Sequence, residues 1–386
     1  MNKILRFVLA VTLFTTSIAI DAQDYSLKSG SIYKNDMEWV LGDVKQAFIH
    51  NKITKQSQVD NLIKGFKNLQ VNGIRMPIFT PDSIPNKAML DYFFNQAKAA
   101  GFPIFANPVL TSGGQCLANG VFKQKDHGGP VRYKSEKTQK LIDEIKAYAQ
   151  VYPCKWICPF NEDGAMGKAW SKIQINTIFS SLHNQLNGAE LIGPCPWGTK
   201  AGVDLLKNTD VMNYISIATS HNLGFEHGQW KNFINEADKK NLPVWDSEVN
   251  HNQKYPDKIT RMEAAIENKV DGLVFYNSWQ FINLTNGNIK NSFKDYPNLY
   301  LKPNSLNETV SKNDYAIYPN PALEGEQVWI NHYSSIIESF EIYDITGKAI
   351  RGAIEKVTGN KITISGLSPG IYMIKVNNHI SKLVVN

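Results

Sequence analysis

Trp156-Ile157-Cys158-Pro159-Phe160-Asn161-Glu162-Asp163 opens as a short apolar run and closes on three polar residues, two of them acidic. A continuous apolar run of this length reads as a strand buried on both faces, the kind that parallel sheets contain. The same design recurs on either side. Candidate strands are Trp39 to Val44, Gly73 to Ile78, Pro103 to Pro108, Trp156 to Phe160, Glu190 to Gly193, Met212 to Ala218, Pro243 to Asp246 and Gly272 to Tyr276. Helical periodicity fills the intervals, over Gln58 to Leu69, Met89 to Ala100, Thr138 to Ala149, Ile173 to Leu186, Trp230 to Lys239 and Ile259 to Asn268. Strands alternating with helices argue for βαβ units, and eight such units between 38 and 300 match the ~250 residues of a (β/α)8 TIM barrel. An open doubly wound sheet is the alternative. It has no support from a nucleotide motif, because neither Gly-x-Gly-x-x-Gly nor Gly-Lys-Ser/Thr follows a strand.

In such a barrel the chemistry lies at the C-terminal ends of the strands. Those ends are polar here: Arg75 in the second, Asn107 in the third, Asn161-Glu162-Asp163 in the fourth, Ser220-His221-Asn222 in the sixth, Asp246-Ser247-Glu248 in the seventh and Tyr276-Asn277-Ser278-Trp279 in the eighth. Glu162 and Glu248 lie 86 residues apart, close to three βα units of ~31 residues, which agrees with strands four and seven. Two carboxylates facing each other across one barrel mouth provide what glycosidic cleavage requires, one held protonated to donate and one ionised to attack.

These strand ends resemble the glycoside hydrolases of clan A, most nearly the cellulase and mannanase pattern of family five. There an Asn-Glu pair ends strand four and a Glu ends strand seven. The resemblance implies Glu162 as acid/base, Glu248 as nucleophile and Asn161 as the contact to the sugar 2-hydroxyl. It further implies that Arg75 keeps Glu248 ionised, Asn107 and His221 line the catalytic subsite, and Trp279 forms its stacking floor. One departure is plain, since no Tyr is evident at the end of strand six to touch the nucleophile.

Plainer roles compete with these. Asp246, two residues before Glu248, is the rival nucleophile, and Asp163 reads as a supporting carboxylate. Arg75 alone would be a surface charge, and His221 alone a structural histidine. Trp170, Trp197 and Trp279 are either core or sugar platforms. His127, His227 and His251 have no ligand spacing, so no metal is expected, and no cofactor.

The ends of the chain differ from its middle. Lys3 and Arg6, an apolar run from Phe7 to Phe14, and Ile20-Asp21-Ala22 make the three-part pattern of a signal peptide over residues 1–22. No later stretch has the ~20 apolar residues of a membrane helix. Residues 303–314 read as a polar linker, and 315–386 as a small β-sandwich of short alternating runs with turns at Thr346-Gly347-Lys348 and Leu367-Ser368-Pro369-Gly370. This tail resembles the C-terminal sorting domain of the type IX secretion system of Bacteroidetes, through Tyr318-Pro319-Asn320-Pro321, Ile342 to Lys348 and Ile364 to Val376. The resemblance implies passage through that machinery to the cell surface or medium, via the periplasm. A carbohydrate-binding sandwich is the alternative, but no exposed aromatic cluster suggests a sugar platform.

Across 386 residues, 42% hydrophobic and 11% aromatic, the chain can bury a large core. Its +6 charge is mild and scattered, which argues against nucleic acid. Removing residues 1–22 leaves +5, and the tail is neutral with six basic and six acidic residues, so the excess belongs to 23–314. Export into an oxidising compartment favours one or two disulfides among Cys116, Cys154, Cys158 and Cys195. An extended Cys154 to Cys158 segment would span ~13 Å, too far for those two to pair, so Cys116 or Cys195 should be a partner. The combined expectation is a secreted, monomeric, retaining, endo-acting glycoside hydrolase with its barrel at 23–302, acting on a polysaccharide that is either neutral or sulfated, such as fucan. A non-catalytic glycan-binding barrel would lack one carboxylate. A polysaccharide lyase would want a Tyr or Lys base beside a charge neutraliser at the strand ends, and none is evident there.

Overall fold

The computed structural model describes residues 31–122, 126–163, 169–250, 260–302, 315–318, 320–332, 339–350, 354–358, 361–376 and 379–386. The signal peptide, the linker 303–314 and His251 lie outside these residues. The chain divides into two compact units, Met1–Tyr300 and Leu301–Asn386.

The first unit is a parallel barrel of β1 (Trp39–Asp43), β2 (Gly73–Ile78), β3 (Ile104–Pro108), β4 (Trp156–Ile157), β5 (Glu190–Leu191), β6 (Gly193–Pro194), β7 (Ala218–Ser220), β8 (Val244–Val249) and β9 (Gly272–Phe275). Their order is β5-β4-β3-β2-β1-β9-β8-β7-β6. The two ends of that order are one strand interrupted at Ile192. Ile192 N–H donates to Ile157 on one side and Gly193 N–H to Ile217 on the other, at 3.0 and 3.1 Å, so the fifth strand of the ring closes it. The interspersed helices are α1 (Lys45–Ile49), α2 (Gln56–Asn68), α3 (Lys87–Ala99), α4 (Gly113–Asn119), α5 (Ser135–Val151), α6 (Lys172–Leu182), α7 (Thr199–Asn208), α8 (Trp230–Ala237), α9 (Arg261–Glu267) and α10 (Pro297–Tyr300). Among the described residues no helix is long and apolar enough to cross a membrane.

Side chains alternate in and out along each strand, and the inward set forms layers. Trp39, Trp156 and Trp245 come from strands that are not neighbours, yet their rings meet edge-on at 4.7 Å (Trp39–Trp156) and 4.8 Å (Trp156–Trp245). They can only meet across the interior. Gly272, opposite Trp245 in register, makes room, because a Cβ there would stand 2.5 Å from the indole nitrogen. Further along the same strands Asp43 follows Trp39 by four residues, and Cys158 and Ser247 follow Trp156 and Trp245 by two, so the interior turns polar toward the strand ends.

Two expectations are corrected. The sixth strand is Ala218–Ser220 rather than Met212–Ala218, because Val211–Asn213 forms a 3-10 turn. All four cysteines are buried free thiols. They fill core space, with Cys116 Sγ 3.6 Å from His127 Nδ1, Cys154 against Tyr148, Cys158 against Cys195, and Cys195 Sγ 2.9 Å from Thr219 Oγ1. A thiol behaves there as a small hydrophobe.

The second unit comprises β10 (Tyr315–Tyr318), β11 (Val328–His332), β12 (Phe340–Asp344), β13 (Ile354–Thr358), β14 (Lys361–Ile364), β15 (Gly370–Val376) and β16 (His379–Val385). They form antiparallel sheets ordered β10-β11-β14-β13 and β12-β15-β16. Val328, Ile330, Ile342, Ile362, Ile364, Ile374, Val376 and Leu383 fill a shared core. After β12 the chain turns on Asp344, whose Oδ1 accepts from Thr346 and Lys348 N–H, while Gly347 takes the positive φ of 83°.

Candidate active site

Arg75 is the hub at the C-terminal mouth of the barrel. Its guanidinium is wholly buried and donates through Nε to Asn107 Oδ1 (2.9 Å), through Nη2 to Asn161 Oδ1 (2.7 Å) and through Nη1 to Glu248 Oε2 (2.7 Å). One planar fork thus ties β3, the turn after β4 and β8 to β2. Asp43 Oδ2 stands 4.0 Å from Nη1 and also accepts the Asn277 N–H at 3.0 Å, while the Asp43 N–H donates to Ser278 Oγ at 2.8 Å.

Glu248 reaches this hub because β8 breaks register against β9 between Asp246 and Val249. Such an irregularity re-aims a side chain. Burial pushes its carboxyl up, but the Arg75 charge and hydrogen bond, with His221 and Lys45, outweigh burial and bring it down to about 2. Asp246 lies deeper, with no exposure, and its Oδ1 accepts the Glu248 N–H at 3.2 Å. Burial raises its carboxyl to about 6 against the pull of Arg261 and His221. The rival carboxylate therefore supports the Glu248 backbone.

Glu162 sits opposite, 7% exposed, with φ of +65°. A residue other than glycine in that region bears ~1 kcal/mol or more of strain, and such residues gather at functional sites. Its N–H donates to Cys195 O at 2.8 Å, which ties the turn to the fifth strand of the ring. Asp163 braces the same turn, accepting from the N–H groups of Asn161, Gly114 and Gln115 and from Trp170 Nε1 at 2.7 to 3.1 Å. Burial nevertheless raises its carboxyl to about 6.

His221, fully buried, holds Nδ1 4.0 Å from Glu162 Oε1. One carboxylate oxygen each of Glu162 and Glu248 and one ring nitrogen of His221 all lie within 4.8 Å of one another. Three such groups could close on a divalent cation, but the Arg75 guanidinium already supplies positive charge at Glu248. Trp279 is half-buried with Nε1 donating to Asn277 Oδ1 at 2.9 Å, Trp197 is 41% exposed, and Trp170 is core.

The structure thus brings Arg75, Asn107, Asn161, Glu162, His221 and Glu248 to one mouth. Sequence reasoning missed Asp43 and Lys45, and placed Tyr276 at the end of the eighth strand without giving it a role. Lys45 is buried, its N–H donates to Asp43 Oδ1 and its Nζ to Asn161 Oδ1, each at 3.0 Å. The Tyr276 phenol is raised by burial and by the charges of Glu248 and Asp43. The polar residues following the apolar run of β1 were the available clue to the first two.

Residues 316–386 match the secretion system C-terminal sorting domain. The tail is such a domain, and the chain is carried by type IX secretion to the cell surface or the medium. No curated protein matches the chain. Among solved structures it is similar to a tri-modular GH5 subfamily 4 endo-β-1,4-glucanase from Bacillus licheniformis, at 10% identity over 91% of this chain and 78% of that one, with a TM-score of 0.46. It is also similar to a GH30 endoxylanase from Clostridium papyrosolvens C71, at 12% identity over 92% and 96%, TM-score 0.45. A third is the GH26 endo-β-1,4-mannanase of Cellulomonas fimi, at 10% identity over 91% and 94%, TM-score 0.42.

Proposed function

We propose that the barrel is a retaining, endo-acting glycoside hydrolase that cleaves a polysaccharide outside the cell. The observation that carries this reading is the separation of Glu162 and Glu248 at the ends of β4 and β8, with carboxylate oxygens within 4.8 Å. Retaining enzymes hold their carboxyl groups ~5 to 5.5 Å apart, whereas inverting ones leave ~6.5 to 9.5 Å for a water.

In the first step Glu162 gives its proton to the glycosidic oxygen as that bond breaks, and a Glu248 oxygen bonds the anomeric carbon. Arg75 favours this division by holding Glu248 as the anion. In the second step Glu162, now the carboxylate, takes a proton from water, whose oxygen displaces Glu248 and restores both groups. Asn107, Asn161 and His221 line the reacting sugar and Trp279 offers a face to it. The barrel, from about 23 to 302, acts as a monomer.

A panel of neutral and sulfated polysaccharides, fucan among them, assayed for new reducing ends tests the reading. Release by the wild-type chain is expected on at least one, and Glu162→Gln and Glu248→Gln should abolish it with the fold intact. Binding without release on every member would make the barrel a glycan-binding module and sink the proposal.

A further inference from the structure

Lys45 has no part in the mechanism above, yet it lies within the site. It follows β1 by two residues and is 2% exposed, and lysines are almost never buried unless paired. Nζ donates one of its three N–H groups to Asn161 Oδ1 at 3.0 Å. That oxygen also accepts from Arg75 Nη2 at 2.7 Å and Asn107 Nδ2 at 2.9 Å, while Asn161 Nδ2 donates to Leu110 O at 2.8 Å. Four anchors therefore hold the Asn161 amide, and the next residue is Glu162 with its strained backbone. The lysine tether is the only one of the four that can change charge near neutral pH.

We propose that Lys45 is a positioning residue of the reaction centre, fixing the Asn161–Glu162 turn through the Asn161 amide, and that the centre works with Lys45 protonated. This rests on the glycosidase reading for its catalytic consequence. When Glu162 hands its proton to the leaving oxygen it becomes an anion, and an ammonium fixed one residue away favours that product of the transfer.

The groups facing Nζ set its titration. Burial lowers it most, the Arg75 charge on β2 adds to this, and Glu248 on β8, Asp43 on β1 and Glu162 after β4 oppose it; the balance brings the ammonium down to about 7. The ammonium is then present below that pH and lost above it, so activity should fall through neutrality toward alkali.

The test pairs Lys45→Met, of similar length without N–H groups, with Lys45→Arg, which retains a charge at every pH. Lys45→Met should lower kcat about 10- to 100-fold, leave KM within about threefold and lose the decline near neutral pH, whereas Lys45→Arg should keep more of the rate and hold it into alkali. Thermal melts of both variants monitor the fold. A second readout needs no substrate. In 13C-lysine-labelled protein one Cε resonance should titrate near neutrality and vanish in Lys45→Met, and the Glu162 amide should shift with the same midpoint. A Lys45→Met variant with wild-type kcat and pH profile overturns the proposal, as does a Lys45 resonance titrating at its ordinary alkaline value. If the wild type hydrolyses no polysaccharide the glycosidase reading fails instead, and the two NMR titrations still decide whether Lys45 governs the turn.

Discussion

Two layers of the barrel, one deep in the interior and one nearer the C-terminal mouth, follow opposite rules. The layer of Trp39, Trp156 and Trp245 holds rings in edge-on contact, in the manner of an ordinary hydrophobic core. The layer of Asp43, Lys45, Arg75, Asn107, Asn161 and Glu248 is as thoroughly buried and holds four charges. Burying charges gains little stability over apolar packing even when they are paired. The first layer supplies folding energy, and the second draws on it to hold reactive groups in fixed positions.

Breaking the upper layer should affect rate most. Glu248→Gln is expected to lower kcat by about four orders of magnitude or more, because it removes the proposed nucleophile. Azide should partly rescue Glu248→Ala and yield a glycosyl azide of inverted configuration; rescue at Asp246→Ala instead would transfer the nucleophile to Asp246.

Breaking the lower layer should affect stability. Trp245→Ala removes the ring that joins Trp156 and fills the space opposite Gly272, so it should cost about 3 to 5 kcal/mol in denaturant unfolding. An unchanged unfolding midpoint would refute the division between the layers.

A smaller effect sharpens the comparison. Asp246 carries a carboxyl raised to about 6 from an ordinary value of 3.8, so the folded state binds its proton more tightly. Its ionisation therefore opposes folding fully above about pH 6 and not at all below the ordinary value. The melting temperature of Asp246→Asn relative to wild type should rise as pH goes from 4 to 7, and a difference constant with pH would contradict the assignment. Glu248 runs the other way, since its lowered carboxyl supports the fold above its ordinary value of 4.5 and loses that support as pH falls through about 2.

The smallest expected change comes from deleting residues 303–386. The proposed chemistry lies at the barrel mouth, so a chain ending at 302 should hydrolyse a short oligosaccharide at the full-length rate. In the native host the same deletion should hold active enzyme in the periplasm. Weaker binding to insoluble polysaccharide with secretion intact would restore the carbohydrate-binding reading of the tail.

How far the sequence could be read depends on the kind of signal each element carries. Apolar runs such as Gly73–Ile78 mark strands because both faces are covered, and the carboxylates closing β4 and β8 stand out against them. The sixth strand was displaced because Met212 to Ala218 has strand composition while its first residues lie within a 3-10 turn. Asp43 and Lys45 were harder to read for a different reason. A charged pair that straddles a strand end and a helix start reads as solvated, and only the closed ring shows that both are buried. The cysteines misled because export suggested oxidation where the fold uses thiols as packing.

The ring closes through the fifth strand, which is interrupted at Ile192 and bonds both of its neighbours. A closed ring has no spare edge, so no backbone donors are left to template pairing with another chain. Cutting the polypeptide near Gly188 would separate a half ending in β4 from one beginning with β5, and each would carry two bare edges. For a secreted chain that closure removes a template for aggregation, and the backbone bonds that Glu190, Ile192, Gly193 and Cys195 donate to the two neighbouring strands maintain it.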